Sequence, residues 1–251
     1  MLYFLSMSLF IVFCIGLVAS ILSGIAGGGG GFITAPFFIL FGIPPQVAIA
    51  TVKFGGIGIT AGSLLKLRGT GNIRTEYVVP LSILAALTGI IGSYVLVHLD
   101  IALVMRCIGA LLLISVPLLF IKKDSGLIRN TPTRLATGVG YVLYTFILFL
   151  QAAFGSGVGT MLPLIMTNLW GFTFLESAAT RRVPGMVGAF SSLASYMVYG
   201  VVNYRYGVII LIATFIGSWI GTHIALKQGN VFVKYVLCGV LVIAGSKFLF
   251  F

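Results

Sequence analysis

Acidic residues are nearly absent from this sequence. Four carboxylates, Glu76, Asp100, Asp124 and Glu176, stand against 15 Lys and Arg in 251 residues, with two histidines beside them. Enzymes at membrane depth use clusters of His, Asp, Glu or Cys, and cation carriers need carboxylates or thiolates. This chain is therefore read as a non-enzyme, with no metal site and no cofactor. Cysteine is scarce as well. Cys14, Cys107 and Cys238 each lie alone in an apolar run without a CxxC pair, so zinc and dithiol chemistry have no support and the three read as small buried hydrophobes. Charged residues of both signs make up only 8% of the chain, against about 25% in a water-facing domain.

What fills the space is apolar. Hydrophobic residues account for 59% of the chain, and the mean hydropathy is +1.18. Lipid must be the solvent for most of the molecule, and the expected fold is an all-α polytopic integral membrane protein. The net charge of +11 does not indicate nucleic acid, because Lys and Arg fall between apolar runs, as in loops that meet anionic headgroups. The start, apolar from Leu2 to about Ile25 without a basic leader, reads as a retained first helix.

A crossing helix needs about 20 apolar residues. Ten apolar segments are present, at 2–25, 29–43, 46–67, 76–97, 101–121, 134–154, 157–171, 175–199, 204–226 and 230–251. Segments 29–43 and 157–171 are short, preceded by glycines, and contain Pro36 and Pro163, the mark of broken or re-entrant helices. Whether these two cross or dip and return stays open. The polar stretch Lys122–Arg134 divides the chain into a first transmembrane repeat (1–121), a basic cytoplasmic linker (122–133) and a second repeat (134–251). With ten crossings, the basic loops near Lys66, Arg68 and Arg74, in the linker, and at Lys227–Lys234 share one side, and both termini face away from the cytoplasm.

The halves repeat. At an offset of 129, Ala50-Thr51 meets Ala179-Thr180, and Gly42, Gly56, Gly71 and Gly92 meet Gly171, Gly185, Gly200 and Gly221. An odd number of spans per repeat inverts the second half. Interrupted segments at matching positions of inverted repeats point to a substrate site near the bilayer midplane. GxxxG spacing at Gly58/Gly62 and Gly217/Gly221 reads as helix packing. Gly27–Gly31 is too glycine-rich for a simple packing face, and without a following Lys-Ser/Thr it is no phosphate loop.

The same offset joins Lys53 to Arg182, each two residues past an Ala-Thr pair, with Arg181 alongside. An ionisable group at a helix centre costs roughly 2.5–3.5 kcal/mol, so such groups need a reason. A small anion held between the two cations would relieve both penalties. The plainer alternatives are snorkelling to an interface or pairing with a carboxylate, for which Glu176 is the nearby candidate. Thr51 and Thr180 are expected hydrogen-bond donors. Backbone N–H groups near Gly28, Gly29 and Gly30, and near Gly155, Ser156 and Gly157, are expected at the starts of the broken helices. Arg106, His98 and His223 read as snorkelling, packed or interfacial groups.

The run Ser23-Gly-Ile-Ala-Gly-Gly-Gly-Gly-Gly31, then Pro36, then Ile49-Ala-Thr-Val-Lys53 resembles the TauE/SafE sulfite exporter family, also called the 4-toluene sulfonate uptake permease family, and especially its YfcA-like members. Phe154-Gly-Ser-Gly, Pro163 and Ala179-Thr180 resemble the family's second copy. The resemblance implies a permease of the bacterial inner membrane for sulfite, sulfoacetate or organosulfonates, and it singles out Gly27–Gly30, Pro36, Thr51 and Lys53. The expected function is export of such anions by alternating access; an anion channel, or an importer of sulfonates or related organic anions, is the alternative. Expected partners are the small anion and the lipid bilayer, and pairing into a homodimer is left open.

Overall fold

The computed structural model describes residues 8–28, 30–98, 126–155 and 158–250. The expected segment 101–121 with Arg106 and Cys107, and the sites Gly29, Ser156 and Gly157, lie outside the described residues. The described chain is helical, without strands: α1 (Leu9–Ala26), α2 (Gly31–Leu40), α3 (Pro45–Leu67), α4 (Thr75–His98), α5 (Arg134–Phe154), a 3-10 turn (Val158–Met161), α6 (Leu162–Leu169), α7 (Phe174–Thr180), α8 (Arg182–Val198) and α9 (Tyr204–Phe250). Five of these helices are long and apolar enough to cross a membrane. The chain is a multi-pass, all-α membrane protein.

Local chemistry sets several boundaries. Pro45 opens α3 with its φ already helical. Thr133 caps α5, and Thr173 with Glu176 forms a reciprocal capping box on α7. α1 ends at Gly27 (φ 77°) and α5 at Gly155 (φ 99°), positive angles that suit glycine. α9 would be about 70 Å long if straight, at 1.5 Å per residue, more than twice a bilayer core. It bends at Gly229 (φ 82°), so the expected segments 204–226 and 230–251 are two arms joined by one non-helical residue. The expected segment 175–199 is instead two helices, α7 and α8, meeting at Arg181.

The two short segments are return strokes. Gly30, at the head of α2, lies beside Ala19 and Ser23 in the last turns of α1. At the other end of α2, Phe38 packs on Tyr206 with ring centroids 5.7 Å apart. Gly16, midway along α1, faces Ile210 and Ala213, and Gly24, in its last turn, faces Ser218 and Thr222, so α1 runs parallel to the first arm of α9 and α2 runs back beside it. Pro36 sits inside α2, and Pro163 sits in the first turn of α6.

One end of the bundle is tied by polar contacts. Asn130 N–H donates to Gly171 O (2.9 Å), and Leu175 N–H donates to Asn230 Oδ1 (2.9 Å). The Arg74 side chain reaches Glu176 (3.2 Å). The loops at 68–74, 126–133 and 170–173 and the bend at Gly229 therefore share that end, as do the basic residues Lys66, Arg68, Arg74, Arg129, Arg134 and Lys227. The 41–44 and 199–203 loops form the other end, where Thr51 Oγ1 accepts the Asn203 N–H (3.0 Å).

Candidate functional site

Where α1 and α5 break, three cations meet. Lys53, Arg181 and Arg182 are all buried, 7%, 7% and 3% exposed, and all line one cavity of about 70 Å³. A single water needs roughly 10–15 Å³ by this measure, so the space suits a few waters or one small oxyanion. The lining comes chiefly from two faces that match at the 129 offset. On α3 these are Val52, Lys53, Gly56, Ile59 and Thr60; on α8 and the residue that heads it they are Arg181, Arg182, Gly185, Gly188 and Ala189. Gly28, Thr88, Gln151 and Ser192 complete the polar rim.

The cations are held by helix ends, reciprocally. Lys53 Nζ donates to Gln151 O and Ala152 O, both at 3.1 Å, in the last turn of α5. Arg182 Nη2 donates to Ser23 O (3.0 Å) and Gly24 O (3.2 Å), in the last turn of α1. Those two carbonyl pairs are themselves related by an offset of 128. Each half thus lends a cation to the broken helix of the other. The threonines follow the same rule: Thr180 Oγ1 accepts the Arg74 N–H (2.9 Å) ahead of α4, as Thr51 does for Asn203 ahead of α9.

Several expectations change here. The helix termini at the breaks that the cations meet are C-terminal, so they present carbonyls to Lys53 and Arg182 and are not anion-binding N–H groups. Gly28 lines the cavity, and a Cβ there would overlap the Arg181 guanidinium. Gly30 packs on Ile59 and α1, and Gly155 closes α5; neither lines the cavity. Thr51 and Thr180 are fully buried outside it. Glu176 pairs with Arg74 and accepts the Thr173 N–H (2.9 Å), so it does not neutralise the three cations.

Arg181 carries more than its place beside Arg182 suggested. Its Nη1 donates to Gly27 O (2.6 Å) and Gly159 O (2.7 Å), and its Nη2 donates to Gln151 Oε1 (3.3 Å). Gln151 and Gly159 were not singled out in the sequence, although Gln151 is the one amide in the apolar run 134–154.

Charge balance indicates what the site can hold. Each helix C-terminus contributes about half a negative charge, so the ends of α1 and α5 offset about one of three positive charges. No Asp or Glu is among the described residues lining the cavity. Donors are also in surplus: one ammonium N–H of Lys53, three guanidinium N–H of Arg182 and two of Arg181 remain after the bonds above. Arg182 Nε is enclosed without any partner. Unpaired buried donors are costly, and an acceptor-rich anion would satisfy them.

The sequence profile of the family "Sulfite exporter TauE/SafE" matches residues 12–248. The chain is 27% identical over 228 residues to a "Probable membrane transporter protein" of Haemophilus influenzae, covering 89% of this chain and 88% of that one. It is 24% identical over 244 residues to the "Probable membrane transporter protein YfcA" of Escherichia coli K12, covering 96% and 89%. A shorter stretch of 86 residues, 34% of this chain and 18% of the relative, is 31% identical to "Sulfite exporter TauE/SafE family protein 3" of Arabidopsis thaliana. No solved structure matches significantly.

Proposed function

The chain belongs to the sulfite exporter TauE/SafE family and is a membrane transporter, and on that premise we propose that it carries small sulfur oxyanions such as sulfite, sulfoacetate or short organosulfonates out of a bacterial cell. The observation that carries this reading is the cavity with three buried cations and no carboxylate among its described lining residues. Cations and metals would be repelled from it, while an anion supplies the missing charge.

Export follows from energetics. An inside-negative potential drives an anion outward by about 2.3 kcal/mol per charge per 100 mV, so efflux needs no coupling ion. Import would need one, and Glu176, the carboxylate nearest in sequence, is engaged with Arg74. The basic end of the bundle is the cytoplasmic one on the positive-inside rule. We read the two repeats, 1–121 and 134–251, as inverted; the reciprocal caps of Lys53 and Arg182 support a two-fold relation between them. Alternating access would exchange the environments of α3 and α8, which face each other across the cavity.

The test is flux in proteoliposomes loaded with sulfite under an imposed potential. Saturable efflux that rises with inside-negative potential is expected. Absence of potential-dependent flux overturns the proposal, and non-saturating flux with single-channel conductance in planar bilayers would replace it with a channel.

A further inference from the structure

The 129 offset pairs the two cavity cations Lys53 and Arg182, but it leaves other polar lining groups without a like partner: Thr60 answers Ala189, and Gln151 answers Leu22. Gly56 answers Gly185 and, outside the cavity, Thr51 answers Thr180, but the third cation, Arg181, answers Val52. Both Val52 and Arg181 line the cavity. The wall at the head of α8 is therefore guanidinium where the α3 wall is isopropyl, and the site is lopsided.

The three cations also differ in what they hold. Lys53 and Arg182 are bound to backbone carbonyls in the last turns of α5 and α1, in matching geometry. Arg182 is the more enclosed of the two arginines, 3% exposed against 7%. Arg181 Nη1 is anchored by two carbonyls, while its Nη2 meets a side-chain amide that can rotate. Space is kept for this guanidinium on two sides: a Cβ on Gly28 would overlap Nη1, and one on Gly159 would overlap Gln151 Oε1 and stand 2.9 Å from Nη2. A guanidinium fixed at one nitrogen, with Nε–H and one Nη2–H unspent, is a fork preorganised for two oxygens of one oxyanion.

We propose that the anion sits off the relation between the halves, on Arg181 and the side-chain amide of Gln151, and that Lys53 and Arg182 are positioning residues that keep the broken ends of α5 and α1 in place. Gln151 acts as a stand-in acceptor: its Oε1 occupies the Nη2 donor in the empty site and yields to an oxyanion oxygen, turning its own amide N–H toward the ligand. The cargo this geometry takes is a small oxyanion with at least two oxygens on one centre. The inference rests on reading the cavity as an anion site, and the experiment separates the two.

Sulfite, sulfate and methanesulfonate are titrated into detergent-solubilised full-length protein by calorimetry, with thermal unfolding recorded for every variant. Gln151→Glu is the key change, because it keeps the shape and places a fixed carboxylate against Arg181. Affinity for whichever probe binds is expected to fall at least 30-fold, with an unchanged or raised Tm. Arg181→Gln is expected to lose binding to the same degree. Arg181→Lys, which keeps the charge and loses the fork, is expected to weaken it about 10-fold. Lys53→Met is expected to lower Tm while changing affinity less than Arg181→Gln does, with Lys53→Arg restoring Tm. Wild-type affinity in a folded Gln151→Glu protein overturns the assignment and leaves the anion site standing, as does a larger affinity loss in Lys53→Met than in Arg181→Gln. Failure of the wild type to bind any of the three anions overturns both readings.

Discussion

Two seams of the bundle occupy matching positions in the repeat and are packed in opposite ways. Between α3 and the first arm of α9, the glycines are on α3: a Cβ on Gly58 would overlap Thr214 Oγ1 and Leu211 O, and one on Gly62 would overlap Phe215 O. Between α8 and α4, the positions equivalent to Gly55, Gly58 and Gly62 are Pro184, Val187 and Ser191. There the small residue has moved to α4, where a Cβ on Gly89 would overlap Ser191 Oγ. The cavity runs along this second seam, through Ala85, Thr88 and Gly89 on one side and Pro184, Gly185 and Gly188 on the other, and no described residue of α9 lines it. Duplication thus supplied one architecture, and side-chain size decided which seam is closed to backbone contact and which leaves room for cargo.

Substitution at the tight seam should have the largest effect. Gly62→Ala drives a methyl into the Phe215 carbonyl and is expected to destabilise by about 3 kcal/mol, seen as a lowered thermal midpoint in detergent. The opposite end of the comparison is Gly185, where a Cβ would meet only Thr60 Cγ2, at 3.4 Å. Gly185→Ala should change stability by less than about 0.5 kcal/mol while slowing flux, because the methyl enters the cavity. Equal losses from the two changes would show that the seams are not different in kind.

Between those extremes lies the pairing at the basic end. Arg74 bridges to Glu176, both 14% exposed, while the equivalent positions at the other end are Asn203 and Val47. Glu176→Gln removes the ion pair and weakens the α7 capping box, and about 2 kcal/mol of stability should go with it; Val47→Gln should cost less. Smaller still are the threonine caps. Thr51→Val and Thr180→Val each strand one backbone N–H, at Asn203 and Arg74, and each should cost about 1 kcal/mol, with their double variant additive within about 0.5 kcal/mol. The Glu176 change should then exceed either threonine change, a ranking that a single set of melting curves can test.

How much of this was visible beforehand depends on the kind of partner. Lys53 and Arg182 could be paired from spacing, because both carry a rare charge in an apolar run. Their actual acceptors could not be read, since Gln151, Ala152, Ser23 and Gly24 contribute backbone oxygens, which every residue has. The glycine breaks suggested helix starts, and α2 does begin at Gly31, but α1 and α5 also end there, at Gly27 and Gly155, and it is these ends that the cations meet. Arg181 is visible in the sequence as a cation beside Arg182, but its separate role is not, since the repeat gives it Val52 as counterpart. The split at Arg181 between α7 and α8 is marked in the sequence by Pro184, whose ring and missing N–H suit the first turn of a new helix, and the bend at Gly229 falls in a polar gap legible as a boundary.

The exchanged cations also bear on how the protein is made. Lys53 emerges 98 residues ahead of Gln151, the first of the two carbonyls it will cap, and the α1 carbonyl of Ser23 waits 159 residues for Arg182. At about 5–20 residues per second, the ribosome leaves these ends unsatisfied for many seconds of synthesis. The early half must wait in the bilayer, unfinished, for the late half to arrive.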